Sequence, residues 1–257
     1  MKCSICMATR NKAVELDRTL RSIREQDVPF SHELVVVDDG STDDTEEVCG
    51  RWNVDCYVCL ENEGYRNPAL ARNEAYREAR GDIVIAQSDD VVHVTPDAIE
   101  RLVGELHQGE FVIATVLNWH VTEKKQWNLP IPLLTGVKNK RPFFFLGAVW
   151  RRDVYAIGGN SEDFVAPAFD DDWFGDCLTK GLGLRARYLP EVVGHHQHHD
   201  RPARLALLCR PSKHLYHGKR GAAERGEIKW EAVGGPWPYH PGKSYYDIVG
   251  REDEEDE

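Results

Sequence analysis

The stretch Gly81–His93 reads Gly-Asp-Ile-Val-Ile-Ala-Gln-Ser-Asp-Asp-Val-Val-His. Its apolar run Ile83, Val84, Ile85, Ala86 has the pattern of a short strand buried on both faces. The run ends at Ser88, Asp89 and Asp90, so two adjacent carboxylates stand where a central strand runs out. Parallel strands present ligand groups at their carboxyl ends. Hard oxygen donors there suit Mg²⁺ or Mn²⁺, which needs only one or two carboxylates when phosphate oxygens fill its other positions. In isolation an Asp-Asp pair is more often an exposed turn; the pattern on either side is what favours a site.

Toward the N-terminus, Cys3–Ala8 is a first short buried strand, followed by the polar turn Thr9-Arg10-Asn11-Lys12. Leu16, Leu20 and Ile23 recur at helical spacing, and Pro29 closes that helix. Glu33–Val37 is a second strand, running into Asp38-Asp39-Gly40-Ser41-Thr42-Asp43-Asp44. There Ser41 with Asp44 has the spacing of a capping box. Asp55–Leu60 is a third strand, and Pro68 opens an alanine-rich helix that Gly81 stops. This strand–helix alternation predicts an α/β fold: a mostly parallel sheet flanked by helices.

Beyond His93, Ile99, Leu102, Val103 and Leu106 mark another helix, and Phe111–Leu117 a further strand. Residues 118–141 show no periodicity, and a loop of that length inside a compact domain is usually functional. Phe143–Ala148 is again apolar. Asp170-Asp171-Asp172 lies between Phe169 and Trp173, and Leu184–Leu189 is a strand stopped by Pro190. His195, His196, His198 and His199 follow. Arg201–His217 reads as a basic amphipathic helix with Leu205, Leu208 and Leu215 on its apolar side, ahead of a Gly/Pro/aromatic stretch and an acidic end.

The formal charge is −11, but six of those charges lie in Glu252–Glu257, so the body is only mildly acidic. A general nucleic-acid binder would show a basic stripe instead. No apolar run approaches the ~20 residues of a membrane span, and Met-Lys-Cys-Ser-Ile-Cys lacks a signal-peptide layout. A cytoplasmic protein without a transmembrane segment is expected. Cys3/Cys6 and Cys56/Cys59 are too far apart for a zinc ribbon. Both pairs sit in apolar runs and read as buried, reduced cysteines.

Each polar cluster has a plain reading beside the functional one. Asp38-Asp39 is either a helix-entry turn or a carboxylate pair for a ribose or base. Arg72 is an exposed helix arginine or a diphosphate partner. Asp170–Asp172 is an acidic first helical turn, or a partly dry carboxylate with raised pKa that serves as a general base. Four imidazoles in five residues at a strand end favour a metal ligand over a surface accident.

In this order the pieces resemble the family 2 glycosyltransferases of the GT-A (Rossmann-like) fold. Ala8-Thr9-Arg10-Asn11-Lys12 is similar to the family's Pro-Thr-Tyr-Asn-Arg, and Val35–Asp43 to its Val-Val-Asp-Asp-Gly-Ser-Thr-Asp run. Asn62-Glu63-Gly64 and Ala71-Arg72-Asn73 resemble its Asn-x-Gly and Ala-Arg-Asn elements. Ser88-Asp89-Asp90 falls at the metal-binding DxD motif, with Gln87 where the family often has a further acid. Gly158-Gly159 resembles the glycines before the acceptor loop, and Asp171-Asp172 stands where the family has Glu-Asp.

The resemblance covers roughly residues 2–200 and implies an inverting, metal-dependent transferase for a nucleotide-diphosphate sugar, with a UDP-sugar expected. It implies Asp172 as catalytic base, with Asp171 the alternative if the register is off by one. Thr9, Asn11, Asp38, Asp39, Arg72 and Asp89 are then the donor-binding residues. The Mn²⁺ or Mg²⁺ ligands are Asp90, Asp89 and one histidine: His199 first, His198 second, His196 third. Residues 1–200 become the GT-A domain, with a nucleotide-sugar half (1–117) and an acceptor half (118–200). Residues 201–257 become a helical or irregular extension. The acceptor is a saccharide, lipid-linked or protein hydroxyl. A nucleotidyltransferase of similar layering is disfavoured because the turn after the first strand has no glycine. A non-catalytic metal- or sugar-binding module is disfavoured by the intact acids.

Overall fold

A computed structural model describes residues 2–118, 121–122, 125–126, 131–135, 143–199 and 204–251. The acidic end at 252–257 lies outside these residues, as does part of the stretch expected as a loop at 118–141, whose described parts are strands instead, one of them paired in the main sheet. In chain order the elements are β1 (Cys3–Thr9), α1 (Ala13–Arg24), β2 (His32–Asp38), α2 (Thr45–Arg51), β3 (Cys56–Cys59), α3 (Ala69–Glu78) and β4 (Ile83–Gln87). There follow β5 (Val91–His93), α4 (Ala98–Gly104), β6 (Glu110–Asn118), β7 (Val121–Thr122), β8 (Lys125–Gln126), β9 (Ile131–Thr135) and β10 (Leu146–Trp150). Then come α5 (Arg151–Ala156), α6 (Asp170–Asp176) continued by a π-helical turn Cys177–Gly181, β11 (Arg185–His196), α7 (Leu205–Leu208), α8 (Arg210–Glu224) and α9 (Tyr246–Val249).

The main sheet runs β3-β2-β1-β4-β10-β6-β11-β5, with β9 added on β6. Strands β1 to β4 are parallel, as the alternation predicts: Thr9 pairs with Asp38 and Cys6 with Ala86. The second half is mixed. β10 runs antiparallel to β4 and β6, while β11 is parallel to β6 and antiparallel to β5. Apolar clusters cover both faces, one around Ile5, Leu20, Leu34 and Ile85, the other around Val35, Val84, Tyr155 and Trp173. This two-sided burial is why the central strands read as continuous hydrophobic runs.

Three local readings are corrected. Ser41 and Asp44 do not form a capping box. Asp44 precedes α2 without a side-chain cap, and the Ser41 hydroxyl instead accepts the Asn11 amide at 2.8 Å. The capping acid of that loop is Asp43, which accepts the Ala13 amide at 2.9 Å and so serves the N-terminus of α1. The cysteine pairs also differ from each other. Cys3 and Cys6 are buried on central β1, but Cys59 is exposed because β3 is the sheet edge. Finally, the basic helix expected over Arg201–His217 is α7 followed by the longer α8, which runs on to Glu224.

The stretch from Trp230 to Lys243 folds back on the domain. Fully buried Arg151 donates to the carbonyls of Gly81, Lys243 and His240 at 2.7, 2.6 and 3.0 Å. Trp230 stacks on Trp173 at 5.3 Å between centroids, and the Trp173 indole donates to the Glu231 carbonyl at 3.2 Å. Gly159 (φ +73°) packs so closely on Trp237 and the Asn73 amide that a Cβ would have no room. Because Trp173 belongs to α6, this strap braces the helix that carries the second acidic cluster.

Candidate active site

A cavity of about 290 Å³ opens at the carboxyl ends of β1, β2 and β4; Thr9, Lys12, Asp39, Arg66, Arg72 and Asp89 are among its walls. It lies where ligands bind in open α/β sheets. Gly40 (φ +76°) makes the turn after β2 possible, and its missing Cβ lets the Asn62 backbone pass against it. Asn62 then donates to Asp39 at 2.9 Å, while Arg66 donates to the same carboxylate through Nε at 2.9 Å and through Nη2.

Not every expected donor residue reaches this wall. Asp38 is occupied by the fold: it accepts the Ser41 amide and the Tyr57 hydroxyl, both at 2.8 Å. Asn11, at φ +50°, accepts from the Thr42 amide at 2.7 Å and so ties the first turn to the second. These two residues hold the turns after β1 and β2, whereas Thr9, Asp39, Arg72 and Asp89 line the cavity itself.

At the end of β4 the paired acids separate in environment. Lys12 reaches both, with Nζ 3.2 Å from Asp89 and 2.6 Å from Asp90. Burial pushes the Asp89 carboxyl above its ordinary range, against the pull of Lys12. For Asp90 burial acts in the same direction, yet Lys12, His196 and His199 prevail and hold its pKa below the ordinary value. The Nε2 atoms of His196 and His199 each lie 3.4 Å from an Asp90 oxygen.

Asp90, His196 and His199 converge within 4.8 Å, a spacing that fits one divalent cation. Among the described residues, buried Asp90 Oδ1 has no hydrogen-bond partner and only His196 Nε2, 3.4 Å away, facing it, as expected of an oxygen turned to a cation position. One carboxylate and two imidazoles are donor groups that a divalent cation takes. His196 and His199 come together because β11 buries His196 and the segment after it folds back. Gln197 donates through its amide to the Asp90 carbonyl at 2.8 Å and through Nε2 to the Glu15 carbonyl at 2.9 Å. His198 is exposed and lies outside the cluster, as does Asp89. The structure thus brings the first- and third-ranked histidines, His199 and His196, beside Asp90 and leaves the second-ranked His198 outside the group.

The second acidic cluster opens α6. Phe169 takes a left-handed conformation (φ +67°), which turns the chain so that Asp170, Asp171 and Asp172 form the first turn. Arg72 comes from α3 and donates to Asp170 at 2.9 Å and Asp171 at 2.8 Å. Burial pushes the Asp171 carboxyl up to about 6; the Arg72 guanidinium opposes this, and its neighbours Asp170 and Asp172 reinforce it. Arg72 is therefore bound to the acid cluster while also lining the donor cavity. Arg72 thus joins the donor cavity, which Asp89 also lines, to the acids of α6.

Lys12 and Arg66 were missed in the sequence. Lys12 was visible only as part of a polar turn, and its partners lie 77 and 78 residues away. Arg66 stood in the loop after Asn62 with no pattern to single it out.

Comparison with known proteins bears on the whole arrangement. A family model described as Glycosyl transferase family 2 matches residues 4–160. Validoxylamine A glucosyltransferase of Streptomyces hygroscopicus subsp. limoneus is 35% identical over 229 residues, covering 74% of this chain and 49% of that protein. The chain thus spans about half the length of that relative. Among solved structures, the mannosyltransferase PcManGT from Pyrobaculum calidifontis, in complex with GDP-Man and Mn²⁺, superposes with a TM-score of 0.61 at 22% identity, covering 89% of this chain and 65% of that one. Residues 1–349 of S. aureus TarS, in complex with UDP, give 0.57 at 20% identity, covering 77% and 61%. The two structures share the fold with this chain.

Proposed function

The chain belongs to glycosyltransferase family 2 and has its GT-A fold, and on that premise we propose that it transfers a sugar, with inversion, from a nucleoside-diphosphate sugar to an acceptor hydroxyl. The donor in this reading is a UDP-sugar. The observation that carries it is the cavity at the strand ends, which Thr9, Lys12, Asp39, Asp89 and Arg72 line together and from which Arg72 reaches the acid cluster.

Asp39, pre-oriented by Asn62 and Arg66, accepts from the base or ribose, and Thr9 lines the pocket beneath. Lys12 and Arg72 supply positive charge on the side where the diphosphate lies. Asp90, His196 and His199 would hold Mn²⁺ or Mg²⁺, which when bound supplies Lewis-acid neutralisation of the leaving diphosphate. Asp172 accepts the proton of the acceptor hydroxyl as its oxygen attacks the anomeric carbon and the bond from that carbon to the diphosphate oxygen breaks. Asp171, fixed by Arg72, keeps the α6 turn in place. The strap behind Trp173 holds α6 rigid against the sheet, which a positioned base requires.

A thermal-shift panel of UDP-glucose, UDP-N-acetylglucosamine and GDP-mannose with Mn²⁺ tests the donor class, since a ligand bound to the native state raises its apparent stability. A uridine nucleotide sugar is expected to give the largest shift. A larger shift with GDP-mannose would overturn the choice of nucleoside, and no shift with any of the three would overturn the reading.

A further inference from the structure

Between residues 204 and 223 the chain carries Arg204, Arg210, Lys213, Lys219 and Arg220 and no acid, although the protein as a whole has a charge of −11. Helix α8 turns Ser212, Tyr216 and Ala223 inward. At 3.6 residues per turn, Arg210, Lys213, His214 and His217 fall within an arc of about 100° on the opposite side, and all four are exposed. The two cations nearer the domain have acidic partners: Lys219 binds Asp163 at 2.6 Å and Arg220 binds Glu224 at 3.0 Å. Arg204, Arg210 and Lys213 pair with no acid among the described residues. At the head of the stripe, Leu207 and Leu208 are 44% and 45% exposed. Its other end approaches the acid cluster, with the His217 ring 6.3 Å from Phe169, the residue before Asp170.

A solvated helix face ordinarily mixes both signs of charge. A row of unpaired cations headed by two exposed leucines instead matches a surface that is anionic outside and apolar beneath. A soluble polyanion would satisfy the cations but not the leucines. We propose that Leu207, Leu208, Arg210, Lys213 and His214 dock the protein on an anionic phospholipid surface. If the transferase reading above holds, the acceptor hydroxyl then comes to Asp172 from a lipid-anchored molecule.

Co-sedimentation of the full chain with vesicles tests the docking without donor, metal or catalysis, so its failure is separable from failure of the transferase reading. Vesicles of equimolar phosphatidylcholine and phosphatidylglycerol are expected to retain the protein, and vesicles of phosphatidylcholine alone are not. Arg210→Ser with Lys213→Ser should weaken retention roughly 30-fold, from the usual contribution of a basic residue at an anionic surface. Leu207→Ser with Leu208→Ser should weaken it about tenfold by removing the inserted apolar surface. All four side chains are exposed, and an unchanged melting temperature checks that the variants fold. Equal binding to both vesicle types, or wild-type binding by both double variants, would overturn the proposal. So would retention on soluble polyphosphate, indifferent to the leucine change, with no vesicle binding.

Discussion

The acidic clusters after β4 and at the start of α6 are each clamped by one cation, and the two differ in what burial is allowed to do. At the end of β4, Lys12, His196 and His199 surround Asp90 closely enough to keep its carboxyl ionised despite burial. At the start of α6, one guanidinium is shared by Asp170 and Asp171, a third acid stands beside them, and burial prevails, taking Asp171 to about 6. A carboxylate held ionised among imidazoles is suited to a metal ion. A cluster of acids under mutual repulsion is suited to accepting a proton. In the proposed reading one residue type takes two chemical roles because the balance of partners and desolvation differs.

The largest expected effect tests the proton-accepting side. Asp172→Asn keeps the size of the side chain and removes its basicity, so transfer should fall about 10²–10⁴-fold. Steady-state rates with saturating donor check this. If Asp171→Asn is the crippling change and Asp172→Asn is mild, the assignment of the base moves by one residue.

On the metal side, His196→Ala and His199→Ala should each weaken Mn²⁺ binding by roughly tenfold or more, while His198→Ala leaves it unchanged. Titration followed by Mn²⁺ electron paramagnetic resonance reads this directly, and sensitivity to His198 would refute the proposed ligand set. Lys12 sharpens the same comparison. Its ammonium lies where it repels an incoming cation, so Lys12→Met should tighten binding of Mn²⁺ alone by about tenfold, a modest part of the Coulomb interaction at such distances. Equal or weaker affinity would mean that Lys12 organises the acids rather than competing for them.

The smallest effect is on stability. A carboxyl whose folded pKa lies above its unfolded value contributes stability below about pH 4, and loses it as pH rises through the folded value of about 6. Asp171→Asn removes that loss, so the variant should gain on the wild type between pH 5 and pH 8 by about 1 kcal/mol, a figure kept low because part of the side chain reaches solvent. Urea melts at the two pH values check the sign, and a gain that shrinks with pH would contradict the assignment.

Much of this division was legible in the sequence because its parts are contiguous. Apolar runs ending in acids marked β2 and β4, and the Asp-Asp-Asp turn was visible before Trp173. Which histidine joins Asp90 was not legible. The answer depends on strand facing and on the return held by Gln197, and neither is encoded in a spacing that fits His195/His198 as well as His196/His199. Lys12 was hidden because its charge partners are distant in the chain. The strap was hidden because its main anchor, Arg151, binds backbone carbonyls, which carry no residue signature. Asp38, matched by motif to the donor site, also accepts the Ser41 amide of the turn that follows it, a contact that no motif spells out.

The division of labour itself is tested most directly by the Mn²⁺ dependence of UDP affinity in Asp90→Ala and Asp172→Asn, measured side by side by isothermal titration calorimetry. Asp90→Ala should bind UDP with the same affinity whether Mn²⁺ or EDTA is present, while Asp172→Asn should retain the full gain of the wild type on adding Mn²⁺. Loss of that gain in Asp172→Asn, or its survival in Asp90→Ala, would contradict the assignment of one cluster to the metal and the other to the proton.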